Sequence, residues 1–203
     1  MQQLPHFLRQ PGLLLLIGLA VAHLPGIARA DSGMDINLTA NIVNSTCKLT
    51  VEDGGEIFLP VVMQSWFYNS DSSDRFLPTD YAEGTPFTIH VDDCHQSGGG
   101  TEIRQLQFSF SPQSGFGGNQ KQVFKNDDTS ADAAKNVGIV VFSSVWKTNV
   151  LNSDGSSKVI YNVSSQNSAD YLTDYQFSAR YQNTGAVTGG YVTSNVLVDV
   201  SYE

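Results

Sequence analysis

The sequence predicts an all-β sandwich, on three observations. Eight short runs alternate apolar and polar residues, and clusters of Gly, Ser, Asn and Asp separate them. No stretch carries the three-to-four-residue spacing of an amphipathic helix. A further alternating run at the N-terminal side, Met34 to Ile42, is out of phase with the run that follows it.

That N-terminal run reads Met-Asp-Ile-Asn-Leu-Thr-Ala-Asn-Ile, with Met34, Ile36, Leu38, Ala40 and Ile42 in one phase and polar residues between them. Side chains of a strand alternate between faces, so this is one apolar and one polar face. From Val43 the apolar set (Val43, Cys47, Leu49, Val51) moves to odd positions. A one-residue change of phase turns every side chain to the other face, so one flat strand cannot serve both halves. The expectation is an arm followed by the first strand of a domain.

Residues 1–30 read as a secretory signal: a basic Arg9, an apolar run from Leu13 to Ala22, and Ala28-Arg29-Ala30 as cleavage pattern. The run is shorter than a bilayer span. The expected organisation is 1–30 signal peptide, 31–42 N-terminal extension and 43–203 domain. Beyond residue 30 stand nine Lys and Arg against twenty Asp and Glu, a net charge of −11. Such acidity argues against nucleic acid and against anionic membrane surfaces as partners. Cys47 and Cys94 both lie in the exported part, and an even count there reads as a disulfide. Two free thiols, or a metal site with His95, is the alternative, and no second Cys–His pair exists to complete a tetrahedron.

In order, Val43–Val51 is the first strand and Asp53-Gly54-Gly55 a turn. Ile57, Leu59 and Val61 alternate up to Met63. Residues 64–85 form a long polar stretch carrying Trp66, Phe67, Tyr68, Phe76 and Tyr81. Loops of this length are commonly functional or disordered; here the favoured reading is that the aromatics pack down over one end of the core, ahead of an aromatic sugar-binding loop. Phe87, Ile89 and Val91 make a strand ending at Cys94, whose change of phase marks a bulge or strand end. Leu106, Phe108 and Phe110 alternate next, then a glycine-rich and acidic loop over 111–135, then Val137, Ile139 and Val141. Val159, Tyr161 and Val163 follow the Asp154-Gly155 turn. Tyr175, Phe177, Ala179 and Tyr181 face inward, with Gln176, Ser178 and Arg180 facing away. The last strand carries Val192, Val196, Val198, Val200 and Tyr202 in one phase.

Catalytic patterns are missing. There is no nucleophile elbow, phosphate loop or zinc-protease motif. Asp71, Asp74, Asp127, Asp128 and Asp132 lack the ordered spacing of a calcium loop. The expectation is no catalytic residue, no metal and no cofactor. Asn-x-Ser/Thr patterns at Asn37, Asn44 and Asn162 are common by chance, and two fall where a glycan would obstruct pairing.

The two ends carry a resemblance. Gly190 is fourteenth from the end, the strand after it alternates, and Tyr202 is penultimate. This tail resembles the C-terminal signature of bacterial pilins assembled by the chaperone–usher pathway. Phe177-Ser178-Ala179-Arg180-Tyr181 before a Thr184-Gly185 loop, Phe87 to Cys94 ending Asp93-Cys94, and Cys47 after an alternating arm are similar to type 1 fimbrial subunits. The resemblance implies an incomplete immunoglobulin-like β-sandwich whose final strand is missing. It further implies an acceptor groove beside the C-terminal strand (Gly190, Val192, Val196, Val198, Val200, Tyr202). A periplasmic chaperone fills that groove first. At the outer-membrane usher, the donor strand of a neighbouring subunit replaces it, here Met34, Ile36, Leu38, Ala40 and Ile42. Chaperone–pilin complementation is an established case of strand addition to a sheet edge. Ala40 departs from the glycine common in such arms, and a 64–85 loop larger than in shaft subunits suggests a minor or adaptor subunit. The implied product is a structural subunit of an adhesive fimbria on the cell surface. The alternative is a single-domain adhesin or secreted carbohydrate-binding module with a host glycan as partner. In a single chain the arm is expected either free or folded into its own groove.

Overall fold

The computed structural model describes residues 34–40, 47–82, 84–94, 103–163 and 167–203. The expected signal peptide, Ile42 and Val43 of the phase break, and His95 lie outside them. Among the described residues there is no α-helix, and the strands form two facing sheets. The first sheet holds, side by side, β10 (Val159–Asn162), β5 (Gln105–Pro112), β12 (Ser194–Tyr202), β1 (Met34–Ala40) and β3 (Glu56–Leu59). The second runs β2 (Cys47–Val51), β4 (Thr85–Cys94), β11 (Asp174–Asn183), β8 (Val137–Ser143), β7 (Gln120–Lys125) and β6 (Phe116–Gly117). A short β9 (Thr148–Asn149) pairs with β8. Among the described residues every ladder is antiparallel except β1 on β12, which is parallel.

The inner faces of the sheets meet in an aromatic core. Phe108 and Phe110 of β5 lie 5.5 and 5.1 Å from Phe177 of β11, and Phe87 of β4 stacks on Phe177 at 5.8 Å. These rings supply much of the buried apolar area and prefer such tilted or offset packing. The strand reading of Phe87–Val91, 106–110, 175–181 and 192–202 rests on period-two alternation, and each alternate apolar residue there is buried apart from the half-buried Tyr202. The bulge expected near Cys94 lies between β2 and β4: Lys48 pairs with Asp93 but Leu49 with Val91, leaving Asp92 as the extra residue.

Several elements differ from the sequence reading. The alternation from Ile57 ends at Leu59, because Pro60 cannot donate to a ladder; Val61 and Met63 are 69 % and 80 % exposed. The 111–135 segment, read as loop, holds the β6–β7 hairpin, whose Gln-Lys-Gln-Val-Phe-Lys sequence lacks alternation. β8 is buried along its whole length. Ile139 and Val141 join the main core, while Val140, Phe142 and Val123 form a second small core on the outer face. A strand covered on both faces reads as a continuous apolar run, and Val-Gly-Ile-Val-Val-Phe does.

The segment from Pro60 to Ala82 covers this outer face. Arg180, expected to face away, does so yet is only 3 % exposed. Its Nη1 donates to the Tyr181 carbonyl (3.0 Å) and Gln182 Oε1 (2.7 Å), and its Nη2 to the carbonyls of Leu77 (2.9 Å) and Asp80 (2.8 Å). The guanidinium also lies over Phe76 and Phe142. Gln182 donates to the Phe76 carbonyl at 2.8 Å, and Asn183 to Asp74 Oδ1 at 2.6 Å. A long loop needs such backbone partners to lie on a sheet. Of its aromatics, Phe67 is in the core, Trp66 and Tyr68 pack on it part-buried, and Tyr81 meets Phe142 edge-on at 5.7 Å. Packing down is therefore the main role of these rings.

Candidate functional site

The candidate site is the channel between β12 and β3, and it is built from the C-terminal strand outward. Val196, Val198 and Val200 are fully buried on the core face of β12, and Val192 just before it is also buried. Their partners across β5 are Pro112, Phe110 and Phe108, so one edge of β12 is satisfied within the domain. Tyr202 pairs with Leu106 and is half-buried.

The start of β12 is clamped by residues that the sequence reading left as an acidic loop. Asn195 donates from its backbone (2.7 Å) and its side chain (3.0 Å) to Asp127 Oδ2. Thr193 N–H donates to Asn126 Oδ1 at 2.9 Å, and the Asn126 amide donates to the carbonyls of Ala134 and Tyr191. Asp127 thus serves as an acceptor for backbone, a role no local sequence pattern reveals because its partners lie 68 residues away. Gly190 sits at φ 147°, a conformation that L-residues rarely adopt. A Cβ there would run into the backbone of Asp132 to Ala134, so glycine is required on both counts.

The other edge of β12 carries β1 of the same chain. Ile36, Leu38 and Ala40 stand at the register positions of Ser194, Val196 and Val198, in parallel. On its far side β1 pairs antiparallel with β3, Met34 opposite Leu59 and Ile36 opposite Ile57. Among the described residues β3 has no other ladder. The seven residues of β1 therefore stand alone between β12 and β3, and without them both strands face an unfilled gap above buried Val196, Val198, Ile57 and Leu59. β1 thus pairs within its own chain and does not stand free.

Cys47 and Cys94 form a disulfide, S–S 2.04 Å, between the first residue of β2 and the last of β4. It ties the domain together shortly after the arm ends. On the outer face of β12, burial pushes the Asp199 carboxyl above its ordinary value, and its Oδ1 has no hydrogen-bond partner. His90 Nδ1 lies 2.7 Å from Asp174 Oδ1 on the outer face, part-exposed as expected for a solvated strand residue.

The Fimbrial protein family model matches residues 36–203, which spans all the strands just described except the start of β1. The chain is 38 % identical over 181 residues to the uncharacterized fimbrial-like protein YadK of Escherichia coli K12, covering 86 % of this chain and 87 % of that protein. It is 30 % identical over 177 residues to a protein described as "Probable major fimbrial subunit LpfA" of Escherichia coli O157:H7, covering 86 % of each. The tail, the arm and the disulfide thus meet in one architecture, and the chain belongs to the fimbrial protein family, as a structural subunit and not an enzyme.

Proposed function

We propose that the subunit polymerises by strand exchange, with residues 31–42 as the donor and the groove between β12 and β3 as the acceptor. The observation that carries this reading is the pairing of β1: the segment Met34–Ala40 supplies the strand between β12 and β3. In this reading the single chain is a self-complemented state. A periplasmic chaperone holds the groove before assembly, the outer-membrane usher is the place of exchange, and the fibre stands on the cell surface. Donor residues are Met34, Ile36, Leu38, Ala40 and Ile42; the acceptor strand uses Val192, Val196, Val198, Val200 and Tyr202 behind Gly190. Residues 43–203 then act as the pilin domain and 1–30 as the export signal. The size of the 64–85 segment supports a minor or adaptor position.

The arm acts outward and the groove inward, so the two activities separate by mutation. Leu38→Asp places an unpaired charge at the centre of the donor strand, costing several kcal/mol. Ala40→Leu overpacks beside Val198, at about 1–3 kcal/mol. Both variants are expected to bind chaperone and to accept another subunit's arm, and to fail in entering the groove of a preceding subunit. A pull-down with purified preceding subunit, alongside a chaperone-capture control, tests this. Normal fibre incorporation of Leu38→Asp, or its failure to bind chaperone, would show that the arm belongs to the fold of its own domain.

A further inference from the structure

A cavity of about 480 Å³ opens where β4 begins beside β11 and the 60–82 segment turns over the sheet. Its walls include Leu59, Trp66, Phe76 and Tyr181, and two arginines, Arg75 and Arg180. Only three arginines occur after residue 30, so an acidic chain places two of them at one cavity. No acidic side chain among the described residues lines it. Its volume lies in the range of small-molecule sites, which combine apolar walls with a few fixed polar groups.

The two guanidinium groups differ. Arg180 is buried and spends four donor contacts holding Leu77, Asp80, Tyr181 and Gln182. Arg75 is exposed at the rim, and among the described residues its side chain donates no hydrogen bond. It is placed by stacking instead: its guanidinium carbon lies 5.3 Å from the Trp66 ring centre and 4.9 Å from that of Phe76. Its backbone is also fixed. Arg75 N–H donates to the Phe67 carbonyl at 2.8 Å, Tyr68 and Asp74 form a bridge, and Asp71 closes the intervening turn through Ser73. A planar cation held by two rings, with its fork unspent among the described residues, is preorganised for an oxyanion.

We propose that this cavity binds a carboxylate carried on a body the size of one six-membered ring, with Arg75 as the anion-binding residue. One accessible cation matches a monoanion better than a phosphate dianion, and the guanidinium fork matches the two carboxylate oxygens. The walls of Leu59, Trp66 and Tyr181 take the ring. A sugar acid and an apolar ring acid share this chemistry. The site borders the β12–β3 channel through Leu59, so the arm is kept in place in the test.

Titration calorimetry on the secreted chain, with its arm present, tests the site with four probes: glucuronate, cyclohexanecarboxylate, glucose and inorganic phosphate. At least one carboxylate is expected to saturate the chain with Kd near or below about 1 mM. Glucose, which differs from glucuronate by the carboxylate, is expected to bind at least tenfold more weakly, as is phosphate. A preference for glucuronate identifies a sugar acid, and one for cyclohexanecarboxylate an apolar acid. Arg75→Gln should weaken the preferred carboxylate at least tenfold; Arg75→Lys, which keeps charge but not the fork, should weaken it less. Lys125→Gln, the same loss of charge at an exposed site on β7, should change nothing. Arg75 is exposed, so these variants retain the fold, and far-ultraviolet dichroism checks that they do. Equal binding of glucose and glucuronate, undiminished binding by Arg75→Gln, or no saturable carboxylate up to ~10 mM overturns the proposal.

Discussion

Removal of the arm is the perturbation with the largest expected effect on the isolated subunit. A chain starting at residue 43 lacks β1, and with it the parallel ladder to β12 and the ladder that alone holds β3. Val196 and Val198 at 0 % exposure, Ile57 at 4 % and Leu59 at 3 % then border an open gap. Uncovering about half of each such side chain costs roughly 1 kcal/mol apiece at the usual value per unit area. The four large apolar residues lost with the arm, at about 1.5–3 kcal/mol each, add about 6–12 kcal/mol, for a total of about 10–16 kcal/mol before ordering costs are subtracted. Domains are typically stable by about 5–15 kcal/mol in all, so most of the stability is at stake. Urea unfolding of the two chains, followed by intrinsic fluorescence, is the assay. The truncated chain should aggregate or unfold at a much lower urea concentration. A synthetic peptide of residues 34–42 added in trans should restore the midpoint in a concentration-dependent way, since it binds only the folded state. An unchanged midpoint for the truncated chain would refute the reasoning, and so would a loss that no peptide repairs.

Gly190→Ala should cost at least about 1–3 kcal/mol, because the added methyl meets the backbone of Asp132 to Ala134 at a left-handed φ; its midpoint in urea measures this. Breaking the Cys47–Cys94 bridge opens a loop with a sequence separation of 47 and should cost roughly 4 kcal/mol in the chain-entropy model. Reduction of the intact chain, followed by thermal unfolding, checks that. Stability should also fall as pH rises above about 10. Burial raises Tyr161, Tyr175 (to about 12) and Tyr181, so the folded chain binds more protons than the unfolded chain in that window. Arg180, lowered by burial to about 10, binds fewer when folded and opposes them, one group against three. Urea midpoints at pH 9 and 11 give the sign, and a rise would contradict it.

Much of the sandwich is legible in the sequence because a half-buried strand must alternate. Phe87–Val91, Leu106–Phe110, Tyr175–Tyr181 and Val196–Val200 each present one buried face, and period two records it. The strand Met34–Ala40 is legible for a similar reason, since its apolar residues fall in one phase. Gly190 stands out by its place before the tail, although its need for a left-handed φ and a close backbone contact is visible only in three dimensions.

Other features have no local signature. β7 and the Asn126–Asp127 clamp pair with residues far along the chain, and nothing in Gln120–Asp128 announces those partners. Arg180 sits at an outward position and would be solvated on a bare sheet. It is buried because the 60–82 segment lies over it and offers carbonyls for its donors. Which groove the arm enters is likewise a tertiary matter: the alternation of Met34–Ala40 specifies a strand with one apolar face, and only the pairing between β12 and β3 specifies where it goes. Periodicity is a property of each segment alone, so the sequence determines the strands and their faces; edges, long-range partners and the covering of one face by a loop arise only when distant segments meet.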